Sequence, residues 1–193
     1  TSTHDYIMFF TNTGKAFRLK AYELPEASRT SKGTAIVNLL QLAQGEKIAA
    51  VIPVKDYSSD LYVLMATKNG LIKKTKLEEY SNIRKTGIQG ITLKEDDELI
   101  DVRLTDGSND IIMVTQSGLS IRFAEEEVRA VGRTSMGVKG ITLSKDDKVI
   151  GMEPIADNKD YILAITENGF GKRTEVEEYR CQGRAGKGIL TYK

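Results

Sequence analysis

The chain has 193 residues, of which 40% are hydrophobic, so it is long enough to bury a sizeable core. Its 28 basic and 27 acidic residues give a formal net charge of +1, which excludes a uniformly basic protein but leaves local charged surfaces open. The single cysteine, Cys181, excludes an internal disulfide and predicts a reducing, cytoplasmic compartment. The longest apolar run near the N-terminus, from Tyr6 to Phe10, is too short for a signal-peptide core or a membrane span.

A set of four glycines recurs at a spacing of about fifty residues, and we call them the frame glycines. They are Gly14, Gly70, Gly118 and Gly169, separated by 56, 48 and 51 positions. A threonine stands three residues before each of them: Thr11, Thr67, Thr115 and Thr166. A basic residue, here called the frame cation, stands four residues after each: Arg18, Lys74, Arg122 and Arg173. Because a repeat fold multiplies whatever one unit displays, this pattern predicts a row of positive charges suited to a polyanion.

The elements of each repeat follow one order along the chain. Every repeat opens with an aspartate and a β-type run, at Asp5, Asp60, Asp110 and Asp160. The dipeptides Asn-Gly and Ser-Gly then predict a two-residue hairpin turn at the frame glycine, followed by a second strand. Two further apolar runs complete the unit, as in 90–93 and 99–100 of the second repeat. Four strands per unit with scarcely any helical periodicity predict an all-β, bladed architecture.

The predicted repeats cover about 4–59, 60–108, 109–158 and 159–193 within one partial domain of 1–193. The last repeat stops where its third strand should be under way. We therefore expect about three and a half blades here and a longer natural chain.

Each repeat also carries a glycine-rich basic segment between its second and third strands. These segments are 29–33, 84–90, 132–140 and 182–188. Glycine lets the backbone approach another surface, and interleaved Arg and Lys supply charge-assisted hydrogen bonds to phosphate oxygens. The alternative is that the glycines only form turns and the cations are solvated. The candidate DNA-binding residues here are Arg29, Lys32, Arg84, Lys85, Arg133, Lys139, Arg184 and Lys187, in addition to the four frame cations.

Catalytic, metal and cofactor sites are not predicted. His4 is the only histidine, and Cys181 has no histidine nearby in the sequence. No phosphate-binding loop is present, because Gly186-Lys187 is followed by Gly188 rather than by Ser or Thr. The aspartates that open the four repeats are the only candidates for chemistry on a propeller, and turn or edge roles explain them better. A scaffold for protein partners stays open as a non-enzymatic alternative. No aromatic residue recurs beside the cations in the sequence, so duplex DNA is preferred over stacked single strands.

Several stretches resemble the C-terminal domain of the DNA gyrase A subunit. They are 10–15, 20–26, 101–107, 132–141 and 160–187, and the resemblance extends over essentially the whole chain. It implies a β-pinwheel, a propeller-like ring whose blades exchange strands, with duplex DNA bent around a basic outer rim. Residues 182–188 match five of the seven places of the family's box Gln-(Arg/Lys)-Arg-Gly-Gly-(Arg/Lys)-Gly, whose usual position upstream of Asp5 is not represented in the chain.

The resemblance also implies an enzyme to which this segment contributes binding only. In an ATP-dependent type IIA topoisomerase, DNA wrapping by this domain leads to negative supercoiling. The cleavage tyrosine would lie in another domain, and the partners would be the gyrase B subunit and a second A subunit, with no membrane. The topoisomerase IV A subunit is the related alternative.

Overall fold

The computed structural model describes residues 1–57, 60–156 and 161–192. Strands and short 3-10 turns account for its regular structure. The first two repeats contain β1 (Tyr6–Thr11), β2 (Lys15–Lys20), 3-10 turns at Ala21–Glu23 and Ile36–Asn38, β3 (Ile48–Val54), β4 (Tyr62–Thr67), β5 (Leu71–Lys76), a 3-10 turn at Leu77–Tyr80, β6 (Ile88–Gln89) and β7 (Leu99–Thr105). The next two contain β8 (Asp110–Thr115), β9 (Leu119–Ala124), a 3-10 turn at Glu125–Glu127, β10 (Val138–Lys139), β11 (Val149–Ile155), β12 (Tyr161–Ile165), β13 (Gly171–Glu175), a 3-10 turn at Val176–Glu178 and β14 (Ile189–Leu190).

The strands form antiparallel sheets that borrow one strand from the following repeat. Three sheets are four-stranded, with the orders β3-β1-β2-β6, β7-β4-β5-β10 and β11-β8-β9-β14, and β12 pairs with β13. In each four-stranded sheet the last, two-residue strand belongs to the next repeat, as where Ile88 stands opposite Ala16. The all-β prediction with exchanged strands is confirmed.

Each internal sheet is buried on both faces by its neighbours. In β4, Val63 and Met65 pack toward the first sheet, where they meet Met8 and Phe10. Leu64 of the same strand points the other way, into a second cluster shared with the third sheet. Burial on both faces explains why these strands are runs of apolar residues rather than an alternation of apolar and polar ones.

The two edge strands of each four-stranded sheet lie on opposite sides of the row of blades. The third strands of consecutive repeats contact each other, since β3 contacts β7 and β7 contacts β11. Blades arranged around an axis approach most closely at their inner strands, so these strands form the inner edge. The exchanged strands and the glycine-rich segments that carry them therefore lie along the outer edge.

The hairpin turn at the frame glycine differs from the two-residue turn predicted above. The amide of Gly70 donates to the carbonyl of Thr67 at 3.0 Å, and Gly70 has a φ of +85°. Asn69 does not have a positive φ, which a two-residue type I′ turn would require at both central positions. The hydroxyl oxygen of Thr67 accepts from the amide of Leu71 at 3.2 Å, which gives the recurring threonine its role. The predicted position of the turn was therefore right. The predicted turn type was wrong, because only the glycine, and not the residue before it, has a positive φ.

The first and fourth sheets have different surroundings on their outward faces. In the first sheet, Phe9 and Phe17 are covered by Leu40 from the segment that follows the second strand. In the fourth, Leu163 and Ile165 are 64% and 68% exposed. The fourth hairpin is consequently less packed than the hairpins of the other three repeats.

Candidate nucleic-acid interface

The outer-edge segments present several cations to solvent. Among the predicted cations of the glycine-rich segments, the exposed ones are Arg29, Lys32, Arg84, Lys85, Lys139 and Lys187. Lys139 lies on the exchanged strand β10 itself, opposite Leu71 of the preceding repeat. Segments 84–90, 132–140 and 182–188 each lead into or contain an exchanged strand, so their exposed charges recur along the outer edge from repeat to repeat. Segment 29–33, with Arg29 and Lys32, contains no strand that would place it on this edge.

Two loop arginines of the predicted set are held by protein groups instead. The guanidinium of Arg133 donates to the carbonyl of Gln89 at 2.5 Å, and that of Arg184 donates to the carbonyl of Lys139. Each arginine thus contacts the exchanged strand of the repeat before its own. Their backbone amides donate to acidic side chains of the 3-10 turns, as in Arg133 to Glu79 at 2.8 Å. Both arginines are half-buried, and they tie consecutive outer-edge segments together.

The frame cation Lys74 is also turned toward protein. It is only 7% exposed, and its Nζ lies 3.4 Å from Oε1 of Glu125 in the next repeat. The same Nζ donates to the backbone carbonyl of Glu125 at 3.3 Å. Glu125 is fully buried and accepts a second hydrogen bond, from the hydroxyl of Thr105, at 2.6 Å. The pair is therefore a buried, hydrogen-bonded ion pair across a repeat junction.

Arg18 and Arg122 make the equivalent contact at the other two junctions. Arg18 Nη1 donates to the carbonyl of Ser81, directly after a 3-10 turn, at 2.5 Å. Arg122 Nη1 donates to the carbonyls of Val176 and Tyr179 at 2.9 and 3.3 Å. In all three junctions the frame cation of one repeat binds backbone carbonyls at the 3-10 turn of the next.

A second residue, twelve positions before each frame cation, supports it from its own sheet. The rings of Tyr6, Tyr62 and Tyr161 lie 4.6, 5.2 and 4.3 Å from the charged groups of Arg18, Lys74 and Arg173. Asp110 takes this place for Arg122, with a distance of 2.7 Å between its Oδ2 and Nη2. The expectation that no aromatic residue accompanies these cations was wrong, because antiparallel pairing brings together residues that are distant in sequence. Arg173 itself is exposed.

Exposed cations that sequence reasoning missed follow two of the 3-10 turns. Arg129 and Arg180 both stand eleven positions after their frame glycines, a regularity that could have identified them. Each immediately precedes a residue that bridges to the frame cation of the preceding repeat, Ala130 to Lys74 and Cys181 to Arg122. They add to the exposed charge beside the junctions.

The groups considered for chemistry are scattered. Asp110 is paired with Arg122 as described, Asp5 accepts from the amide of Ser2 at 2.6 Å, and Asp60 is exposed. Asp160 lies outside the described residues. His4 and Cys181 are both exposed. In the described part of the chain, no three His, Cys, Asp or Glu side chains converge on a possible metal position, and no helix is long and apolar enough to cross a membrane.

Comparison with known sequences places the same repeats in one family. The family model described as "DNA gyrase C-terminal domain, beta-propeller" matches residues 5–55, 61–106, 109–156 and 160–193. The chain is 55% identical over its full length to the DNA gyrase A subunit of Clostridium acetobutylicum and 50% identical over 98% of its length to that of Staphylococcus epidermidis. It spans only 23% and 22% of the lengths of these relatives.

Solved structures agree with this assignment. The chain superposes on the C-terminal domain of a DNA topoisomerase IV with a TM-score of 0.90 at 34% identity, covering 98% of this chain and 59% of the other. It superposes on a DNA gyrase A C-terminal domain with a TM-score of 0.83 at 26% identity, covering 98% and 60% of the two chains. On the matching of all four repeats and the shared fold, the chain belongs to the DNA gyrase C-terminal domain family.

Proposed function

We propose that this chain binds duplex DNA and bends it along the outer edge of its blades, as the C-terminal domain of a gyrase A subunit. The observation that carries the proposal is the recurrence of exposed lysines and arginines on the glycine-rich segments of successive repeats. These charges lie on the edge opposite the third strands, where a long ligand can pass several blades in turn. Family membership supports the same function.

Recognition would depend on the phosphate backbone rather than on base sequence. Each phosphate neutralised by Lys or Arg releases condensed counterions, so the logarithm of affinity should fall with the logarithm of salt concentration by about 0.9 per contact. Bending a few tens of base pairs costs on the order of 1–10 kcal/mol. Several segments must therefore act together to hold a curved duplex, which a repeated outer edge allows.

In the full-length protein the wrapped DNA would be the substrate of a type IIA topoisomerase reaction that other domains carry out. We assign strand cleavage and ATP use to other parts of that enzyme, with the gyrase B subunit and a second A subunit as partners in the cytoplasm. Negative supercoiling would follow from a wrap of fixed hand. We favour gyrase over topoisomerase IV because the sequence relatives at 50–55% identity are gyrase A subunits.

Two measurements on the chain test the proposal. Fluorescence anisotropy with a mixed-sequence linear duplex, across a salt series, should give an affinity that falls steeply with salt and exceeds that for a single strand of equal length. Ligation of a nicked plasmid in the presence of the chain should then shift the linking number if the DNA is wrapped with one hand. Absence of duplex binding at low salt would overturn the proposal, and binding without a linking-number shift would overturn the wrapping part of it.

A further inference from the structure

The frame cations occupy a position that suits a junction better than a DNA surface. Lys74 is 7% exposed and its ammonium lies between the Glu125 carboxylate and the Tyr62 ring. Arg122 has Asp110 on one side and two turn carbonyls on the other. A phosphate would have to displace Glu125 to pair with Lys74, and removing a partner from a buried pair leaves an uncompensated charge. Arg122 keeps 21% of its side chain exposed, but its guanidinium is already paired with Asp110 at 2.7 Å.

The backbone of these residues engages the same neighbour. The carbonyl of Lys74 accepts from the amide of Val131 at 2.9 Å, and the carbonyl of Arg122 accepts from the amide of Gln182 at 2.9 Å. Val131 directly precedes the outer-edge segment 132–140, and Gln182 is the first residue of the segment 182–188. The side chain of each frame cation thus binds the 3-10 turn of the next repeat, and its carbonyl binds the start of the outer-edge segment in that repeat.

We propose that Arg18, Lys74 and Arg122 are inter-repeat locks. Each fixes the 3-10 turn of the following repeat and thereby positions the outer-edge cations that contact DNA, without contacting phosphate itself. The DNA part of this proposal rests on the function proposed above. Arg173, which has the same position in its repeat but is exposed, provides a built-in control.

The lock is tested first without DNA. Urea unfolding of Lys74→Met, Glu125→Gln and the double variant forms a thermodynamic cycle across the second junction. We expect a coupling of at least about threefold in the folding equilibrium constant, as for side chains in direct contact. Arg173→Met loses only an exposed contact with the Tyr161 ring, so it should lower the urea midpoint much less than Lys74→Met does. If Lys74→Met is too unstable to purify, Lys74→Arg with Glu125→Asp closes the same cycle. Additive effects would overturn the lock whether or not the chain binds DNA.

The second part of the proposal is that these residues position the outer-edge cations. It is tested by measuring the bend of bound DNA, which a loss of protein stability alone does not change. At protein concentrations that saturate a short end-labelled duplex, folded Lys74→Met should give lower end-to-end energy transfer than wild type, which indicates a smaller bend. Its salt slope should equal that of wild type, whereas Lys139→Met should reduce the slope by about 0.9. An unchanged bend, or a slope that falls as much as for Lys139→Met, would overturn the positioning role. Absence of DNA binding by wild type would instead overturn the proposed function. The inter-repeat contact would then be tested by the thermodynamic cycle of Lys74 and Glu125 variants alone.

Discussion

The Nζ of Lys73 lies 2.6 Å from the carbonyl oxygen of Gly90 and also donates to the carbonyl of Arg133 in the next repeat. Lys73 is 1% exposed, and the hydroxyl of Tyr80 donates to the same Gly90 carbonyl at 3.2 Å. Burial lowers the pKa of Lys73 from 10.5 to about 8. A charge is thus enclosed between two consecutive outer-edge segments.

The buried lysine should make stability depend on pH in a defined window. Its folded pKa of about 8 lies below the unfolded value of 10.5, so between these values the unfolded chain binds more protons. The free energy of unfolding of wild type should therefore rise, relative to that of Lys73→Met, as the pH increases from 8 toward 10. Urea unfolding of both proteins at pH 7.5, 8.5 and 9.5 measures the difference. Parallel pH profiles would contradict a desolvated Lys73.

Gly70 should tolerate alanine less well than Gly169, although both have a φ near +80°. A Cβ at Gly70 would lie 2.9 Å from the backbone carbonyl of Ile141 in the next repeat, whereas Gly169 has no atom within 4 Å among the described residues. A left-handed φ alone costs an L-residue about 1–2 kcal/mol. We expect Gly169→Ala to lose about that much and Gly70→Ala clearly more. Equal losses in urea unfolding would show that close approach does not matter at Gly70.

Asp147 should stabilise the third repeat in a pH-dependent way. It accepts from the amides of Ser117 and Lys148 at 3.0 and 2.9 Å, and from the Ser117 hydroxyl. Burial raises the pKa of Asp147, but these hydrogen bonds outweigh burial and lower it. The stabilisation is present above the unfolded pKa and is lost as pH falls through the folded pKa. Asp147→Asn should be less stable than wild type at pH 7, and the gap should narrow in acid. Thermal unfolding at pH 7, 5 and 3 checks this, and a constant gap would contradict it.

The fourth hairpin should exchange its amide hydrogens fastest among the long strands. Sheets one to three have four strands each, while β12 and β13 pair only with each other among the described residues. Leu163 and Ile165 are exposed there, so little burial opposes local opening. Hydrogen exchange should show weaker protection in 161–175 than in 62–76. Equal protection would indicate that something covers this face in solution, such as a second copy.

The repeat frame was readable from the sequence because it lies within single hairpins. The threonine and glycine of each turn are three residues apart, and both contribute to one turn. The positions of the hairpins and the all-β class follow from such local patterns. The turn type differed because Asn69 keeps a negative φ and the glycine alone takes the left-handed conformation.

The binding partners of the cations could not be predicted from such local patterns. Lys74 meets Glu125 across 51 positions, and spacing along one repeat says nothing about what the next repeat places opposite it. Tyr62 approaches Lys74 only through antiparallel pairing. The same limit applies to Arg133, whose partner Gln89 lies on an exchanged strand. Assignment of any of these cations to DNA stays a prediction.

The most direct test of a DNA-binding outer edge is the salt dependence of duplex binding by two charge variants. One replaces outer-edge cations with Gln: Arg84, Lys85, Lys139 and Lys187. The other replaces Lys94 and Lys145, which are exposed cations beside the acidic turns that precede the third strands. We expect the outer-edge variant to lose affinity and about 0.9 of salt slope per lost phosphate contact, while the control variant matches wild type. A folded outer-edge variant with the wild-type slope would contradict DNA binding along this edge.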